Sequence, residues 1–264
     1  LDLFPGTQFN FVAVENAGID IAVHGRIHIP GGAIRLEPQG GDVFLGSTSR
    51  LDVGGSWING WRDGQAGYPW AIDAGRISIL QTNPGEGRLI AEAGAALDVT
   101  GGARVYRNAS GRPALQFGDG GSILLGGIDT ASGLAGLDLN GLAPGASASL
   151  RLDIAADVQL GGAYNDGGIV LPPSVYADRG FGELILDVGG HRVFVPEGVA
   201  IAQEIYNIDL SGIAAAQVPT GTDTAQAGRT GRLRLEQRMG RQVSRLAIEA
   251  GEISVGAGAV LRTD

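Results

Sequence analysis

The chain has 264 residues, a formal net charge of −9 and no cysteine. That length allows one large domain or two small ones, the missing cysteines exclude disulfides and thiolate metal sites, and the acidic balance argues against nucleic acid as a partner. The 46 glycines follow no Gly-X-Y period, which excludes collagen, and with 44% hydrophobic but only 6% aromatic residues they indicate a β-rich chain with many tight turns.

All 19 basic residues are arginine. No apolar run reaches the ~18 residues of a membrane span, and no basic start followed by an apolar stretch marks a signal peptide. The first motif along the chain is "AVHGRIHIP", with His24 and His28 four residues apart. Gly25 breaks any strand between them, so they read as solvated turn and strand residues rather than a zinc pair. The stretch 31–55, "GGAIRLEPQGGDVFLGSTSRLDVGG", then sets a pattern: a Gly-led strand, a turn, a second strand, a small-residue turn, "LDV" and a glycine pair. Residues 74–102 repeat it. Ile34 and Leu36, Val43 and Leu45, Leu51 and Val53 alternate with polar neighbours; so do Ile77 and Ile79, Leu89 and Ala91, Leu97 and Val99. A period of two predicts strands with one buried face. Asp52 and Asp98 fall on the outward position of equivalent phrases, where stacking would make them repel and favour a bound cation.

Between the two copies lies 56–70, "SWINGWRDGQAGYPW", which contains every tryptophan of the chain. It reads as a loop excursion from a turn. Its aromatics either cover the flank of the molecule, the preferred reading, or form a ligand platform of Trp57, Trp61, Tyr68 and Trp70. Residues 103–118 form a second candidate display loop. Weaker copies of the strand phrase follow at 120–127, 136–141, 149–162 and 182–190, and "GEISVGAGAVLRTD" (251–264) repeats the second half. The arginine-rich stretch 229–245 alternates with Leu233 and Leu235 and reads as a solvated strand face.

Short strands joined by tight turns, without crossover helices, favour a coil: a β-solenoid in which each turn stacks on the last. The 46 residues from Leu51 to Leu97 fit either two coils or one coil with an insertion. The whole chain would make on the order of ten coils, a rod of roughly 50 Å. The expected architecture is thus all-β, a single parallel β-helix over 1–264 with loop excursions, excerpted from a longer protein.

"RLDVGGSW" with "AIDAGRISIL", then "GRLIAEAGAALDVTGG", resembles the repeats of filamentous haemagglutinin-like exoproteins, and "DRGFGELILDVGGHRVFVPEGVAI" (178–201) resembles a segment of the same family. The resemblance is clearest over 18–102. It implies a right-handed parallel β-helical filament exported from a Gram-negative bacterium by two-partner secretion. It also implies location in the medium or on the cell surface, and a role in adhesion or biofilm. The outer-membrane transporter would be engaged by an asparagine-turn signature that these residues do not contain. A glycan or cell-surface receptor and end-to-end self-association are the other expected partners. No catalytic residue, metal site or cofactor is assigned, since no HExxH, GxSxG or P-loop pattern occurs. The alternative is a β-helical carbohydrate-active protein, either a polysaccharide lyase or glycosidase with paired acids or a carbohydrate-binding module using the tryptophans.

Overall fold

The computed structural model describes residues 1–12, 18–61, 71–81, 87–128, 134–162, 168–203, 206–232 and 244–263. Strands dominate and most pair in parallel. Among the described residues the only α-helix is the four-residue turn Thr224–Ala227. The protein is therefore all-β.

The longest sheet has seven strands, arranged in chain order: Gln8–Val12, Ala33–Glu37, Arg76–Leu80, Ser122–Ile128, Ala148–Ile154, Phe181–Asp187 and Arg245–Glu249. Every neighbouring pair is parallel. A second parallel sheet holds Ile21–Val23, Val43–Leu45 and Leu89–Ala91. A third holds Arg26–His28, Arg50–Asp52, Ala95–Asp98 and Leu137–Asn140. Three times in succession the chain passes from the long sheet to the second, to the third, and back. Parallel neighbours need a crossover; here each crossover consists of strands belonging to the other sheets. In the C-terminal half the crossovers feed a further parallel sheet of Val158–Leu160, Ile169–Leu171, Arg192–Val195 and Glu252–Val255.

Register turns the alternating sequence into columns. In the long sheet Ile34, Ile77, Ile123, Leu150 and Leu184 stand in one row, and Leu36, Ile79, Leu125, Leu152 and Leu186 in another. All ten are at most 1% exposed. In the third sheet Ile27, Leu51, Leu97 and Leu139 are aligned. Each buried aliphatic contributes roughly 1.5–3 kcal/mol, so the columns are the principal source of stability. Leu51 pairs directly with Leu97. The 46 residues between them therefore make one pass with an insertion, not two passes.

The Gly-led starts of the strands have a steric cause. A Cβ on Gly75 would lie 1.7 Å from the Gly32 carbonyl oxygen, and one on Gly121 would lie 2.0 Å from that of Gly75. Those carbonyls accept the amides of Arg76 and Ser122 at 2.9 and 3.0 Å. The strands enter the sheet too close together for any side chain.

Among the described residues, the seven strands of the long sheet leave six gaps of about 4.8 Å, a stack of roughly 29 Å. This corrects the expectation of about ten coils and 50 Å: the inserts take up chain without lengthening the stack. One insert builds a lateral sheet. Trp57–Asn59 pairs in parallel with Ala103–Arg107, which forms an antiparallel hairpin with Pro113–Phe117. A second antiparallel pair, Tyr206–Asp209 with Arg229–Arg232, belongs to a strap that returns to this flank. Trp57, Ala103, Val105, Ile208 and Leu210 form a small core of their own there. Of the arginine-rich stretch, residues 233–243 lie outside the described residues; Arg229–Arg232 is strand and Arg245 opens the last strand of the long sheet.

Candidate functional site

The third sheet repeats one triplet: Arg26-Ile27-His28, Arg50-Leu51-Asp52, Ala96-Leu97-Asp98 and Asp138-Leu139-Asn140, all in register. The aliphatic residue points inward, so its neighbours form two outward rows. The row His28, Asp52, Asp98, Asn140 sits where each strand ends in a turn. Oδ1 of Asp52 accepts the Gly54 amide at 3.0 Å, and Oδ1 of Asp98 accepts the Thr100 amide at 3.0 Å. These are Asx turns, in which the side chain replaces a backbone acceptor.

The second oxygens are held by arginines of the preceding pass. Arg26 Nη2 donates to Asp52 Oδ2 at 2.8 Å, and Arg50 Nη2 donates to Asp98 Oδ2 at 2.6 Å. Arg50 Nε also lies 3.6 Å from Asp52 Oδ2. The two acids do stack on neighbouring strands, and a guanidinium supplies counter-charge to each. The row of arginines stops at Ala96, and the acid opposite becomes Asn140. His28 Nδ1 lies 3.1 Å from Asp52 Oδ2.

The carboxyl pKa values of Asp52 and Asp98 are shifted in opposite directions. Burial pushes Asp52 up, but His28, the Gly54 amide and Arg26 outweigh it and hold its carboxyl below the usual range. Burial and the neighbouring Asp52 charge push Asp98 up, and its contacts with Thr100 and Arg50 do not compensate. Two adjacent acids are thereby separated in pKa, the arrangement that acid–base pairs use. Both are nevertheless tied into a turn and an ion pair.

The strap covers this ladder. Trp57, 1% exposed, donates its indole N–H to Val218 O at 3.3 Å, and its own carbonyl accepts the Gly221 amide at 2.9 Å. Asn59 Nδ2 donates to Ala216 O and Val218 O at 3.0 and 2.7 Å, and its amide donates to Thr220 Oγ1 at 2.8 Å. Farther along the strap, the Asn207 side chain accepts the Ala143 amide and donates to Ser147 Oγ. Asp223 then caps the short helical turn by accepting the Ala225 amide at 2.9 Å. Between ladder and strap lies a cleft of about 290 Å³, with Arg50, Asp98, Thr100, Thr222 and Thr224 in its walls.

The tryptophan stretch is thus divided. Trp57 is a core residue of this flank with its N–H committed, which fits the flank-covering reading and not an exposed platform. Trp61 packs against the same small core and carries the Arg107 guanidinium 4.0 Å above its ring. Tyr68 and Trp70 lie outside the described residues. His24 packs against Phe44 at 5.3 Å, and His28 turns to Asp52, so the two histidines are not brought together.

The strap at 206–228 carries no role in the sequence reading. Its one local signal is Asp223-Thr-Ala-Gln226, an N-cap pattern followed by Gln three residues on. Its docking partners are Trp57 and Asn59, up to 161 residues away in the chain. No protein family, curated protein or solved structure matches this chain.

Proposed function

We propose that the chain is a right-handed parallel β-helical segment, the structural shaft and interaction segment of a filamentous adhesin. The parent protein would be secreted by a Gram-negative bacterium through two-partner secretion, or attached to its surface. The observation that carries this reading is the long sheet: seven parallel strands in chain order, with aliphatic columns behind them. Repeated visits to three sheets in the same order are what a winding chain produces, and right-handed crossovers are the rule for parallel strands. Such a stack extends by repetition and presents its inserts laterally, here the hairpin 103–117 and the strap.

The proposed task is mechanical rather than catalytic. Asp52 and Asp98 each use one oxygen for a turn amide and the other for an arginine. The outer-membrane transporter would be met by another part of the parent protein, and the ends of the stack would meet further copies.

Surface labelling tests the reading. Antibodies raised against the hairpin 103–117 should stain intact cells of the source bacterium or bind its culture medium. Deleting the partner transporter should abolish that signal. A chain found only in the cytoplasm would overturn the proposal.

A further inference from the structure

The hairpin 103–117 differs from the rest of the molecule in charge. The chain has a net charge of −9, yet residues 103–118 contain Arg104, Arg107 and Arg112 and no acidic residue. Elsewhere eight described arginines, the first Arg26 and the last Arg245, pair with a carboxylate. Among the described residues, Arg104, Arg107 and Arg112 pair with none. Arg107 lies 4.0 Å above the Trp61 ring and donates to the Gly111 carbonyl at 3.4 Å, contacts that orient its guanidinium without cancelling its charge. Arg107 and Arg112 are exposed, and Arg104 is half-buried. In an acidic protein whose other arginines find acids, these three leave the carboxylates to a partner.

The hairpin also has an open edge. Pro113–Phe117 pairs with Ala103–Arg107 on one side, and among the described residues no strand pairs with the other. No further backbone hydrogen bond engages residues 113–117 there. Outward main-chain groups on a strand edge are a template for another extended segment. A polypeptide matches them with its own N–H and C=O groups; a glycan or a phosphate headgroup has no such row.

Register defines the composition of that segment. Ala103 stands opposite Phe117 and Val105 opposite Leu115, and this face packs on the small core of the flank. Arg104 stands opposite Gln116 on the other face. Arg107 is opposite Pro113, with Arg112 next to it in the chain, so cationic side chains flank both ends of the edge strand. A strand added to this edge continues both faces. Its residues beside Leu115 and Phe117 would be apolar, and the alternate ones, toward Gln116 and Arg104, acidic.

We propose that the edge Pro113–Phe117 binds an extended acidic peptide segment of a partner protein by strand addition, with Arg104, Arg107 and Arg112 pairing with its carboxylates. The inference goes beyond the shaft reading and does not depend on it.

The test selects binders to the whole chain from a displayed library of short random peptides. Selected sequences should alternate Asp or Glu with apolar residues, and a synthetic copy of the best should bind more weakly as salt rises. Arg104→Gln with Arg112→Gln should weaken that binding at least about tenfold. Arg112→Gln alone, at an exposed turn, carries the test should the double variant not fold. Arg76→Gln removes a long-sheet arginine that also has no carboxylate partner, and should leave binding unchanged. N-methylation of alternate peptide residues should abolish binding in one frame and spare it in the other, since an added strand bonds through one edge. The proposal is overturned if no acidic peptide is selected, if the two N-methylated frames bind equally, or if the hairpin variants keep full affinity. Binding of alginate or of phosphatidylglycerol vesicles without any selected peptide would likewise overturn it and move the arginines to a glycan or a lipid.

Discussion

Tyr176 is 2% exposed and its hydroxyl is buried without a partner, and burial pushes its pKa up to about 12. Tyr176→Phe removes the unpaired group and should stabilise the protein by about 1 kcal/mol in chemical denaturation. Asp98 behaves in a related way. Its folded pKa lies above the unfolded value of 3.8. Its contribution is therefore fully present below that value and is lost as pH rises through the raised one. Asp98→Asn should accordingly raise the melting temperature at pH 7 and leave it unchanged near pH 3, where Asp98 is already protonated. Asp52 has the opposite sign: its folded pKa is lowered, so its stabilisation holds above 3.8 and disappears as pH falls through the lowered value. Asp52→Asn should lower the melting temperature at pH 7. That both acids face outward on adjacent strands was legible in the "LDV" repeats. That arginines would bridge them was not, because Arg26 and Arg50 reach forward by 26 and 48 residues. That Trp57 covers the flank was the preferred reading, but the partner of its indole N–H was hidden for the same reason. Its acceptor is contributed by a strap whose own sequence carries almost no pattern.

At the level of elements, the glycines that lead each strand are contact points between neighbouring backbones. Gly75→Ala would place a methyl group 1.7 Å from a carbonyl that accepts a ladder hydrogen bond. We expect a loss of about 3 kcal/mol, read from the denaturation midpoint. The Gly-led phrase was visible in the sequence, as were the alternating aliphatics, since both follow from local periodicity. Whether 46 residues formed one pass or two was not visible, because a repeat spacing does not say which copies touch. The direct pairing of Leu51 with Leu97 decides it. The strap is the least legible element. It is held by a few side-chain-to-backbone bonds and one small apolar core rather than by a repeating pattern. Trp57→Ala empties the centre of that core and should cost about 3–5 kcal/mol. Limited proteolysis should then cut within 211–228 while the long sheet stays intact.

Over the whole molecule, the two ends of the stack differ from its middle. Gln8–Val12 and Arg245–Glu249 are the outermost strands of the long sheet, and each pairs on one side only among the described residues. Phe11, Ile253 and Val255 are 48%, 49% and 49% exposed near these ends. Unpaired parallel edges with apolar neighbours invite another strand. Sedimentation of the chain should show oligomers that grow with concentration, and Phe11→Lys with Val255→Lys should suppress them. The strap adds a consequence for the chain under tension. Because Asn59 and Trp57 grip residues 216–221, a pull on the C-terminal side first peels away Arg245–Glu249 and Glu252–Val255 and then meets this clasp before it reaches the strands that end at residue 203. In an optical trap the strands beyond residue 244 should come away first, and the clasp should then open in one abrupt rip before the strands up to residue 203 are released.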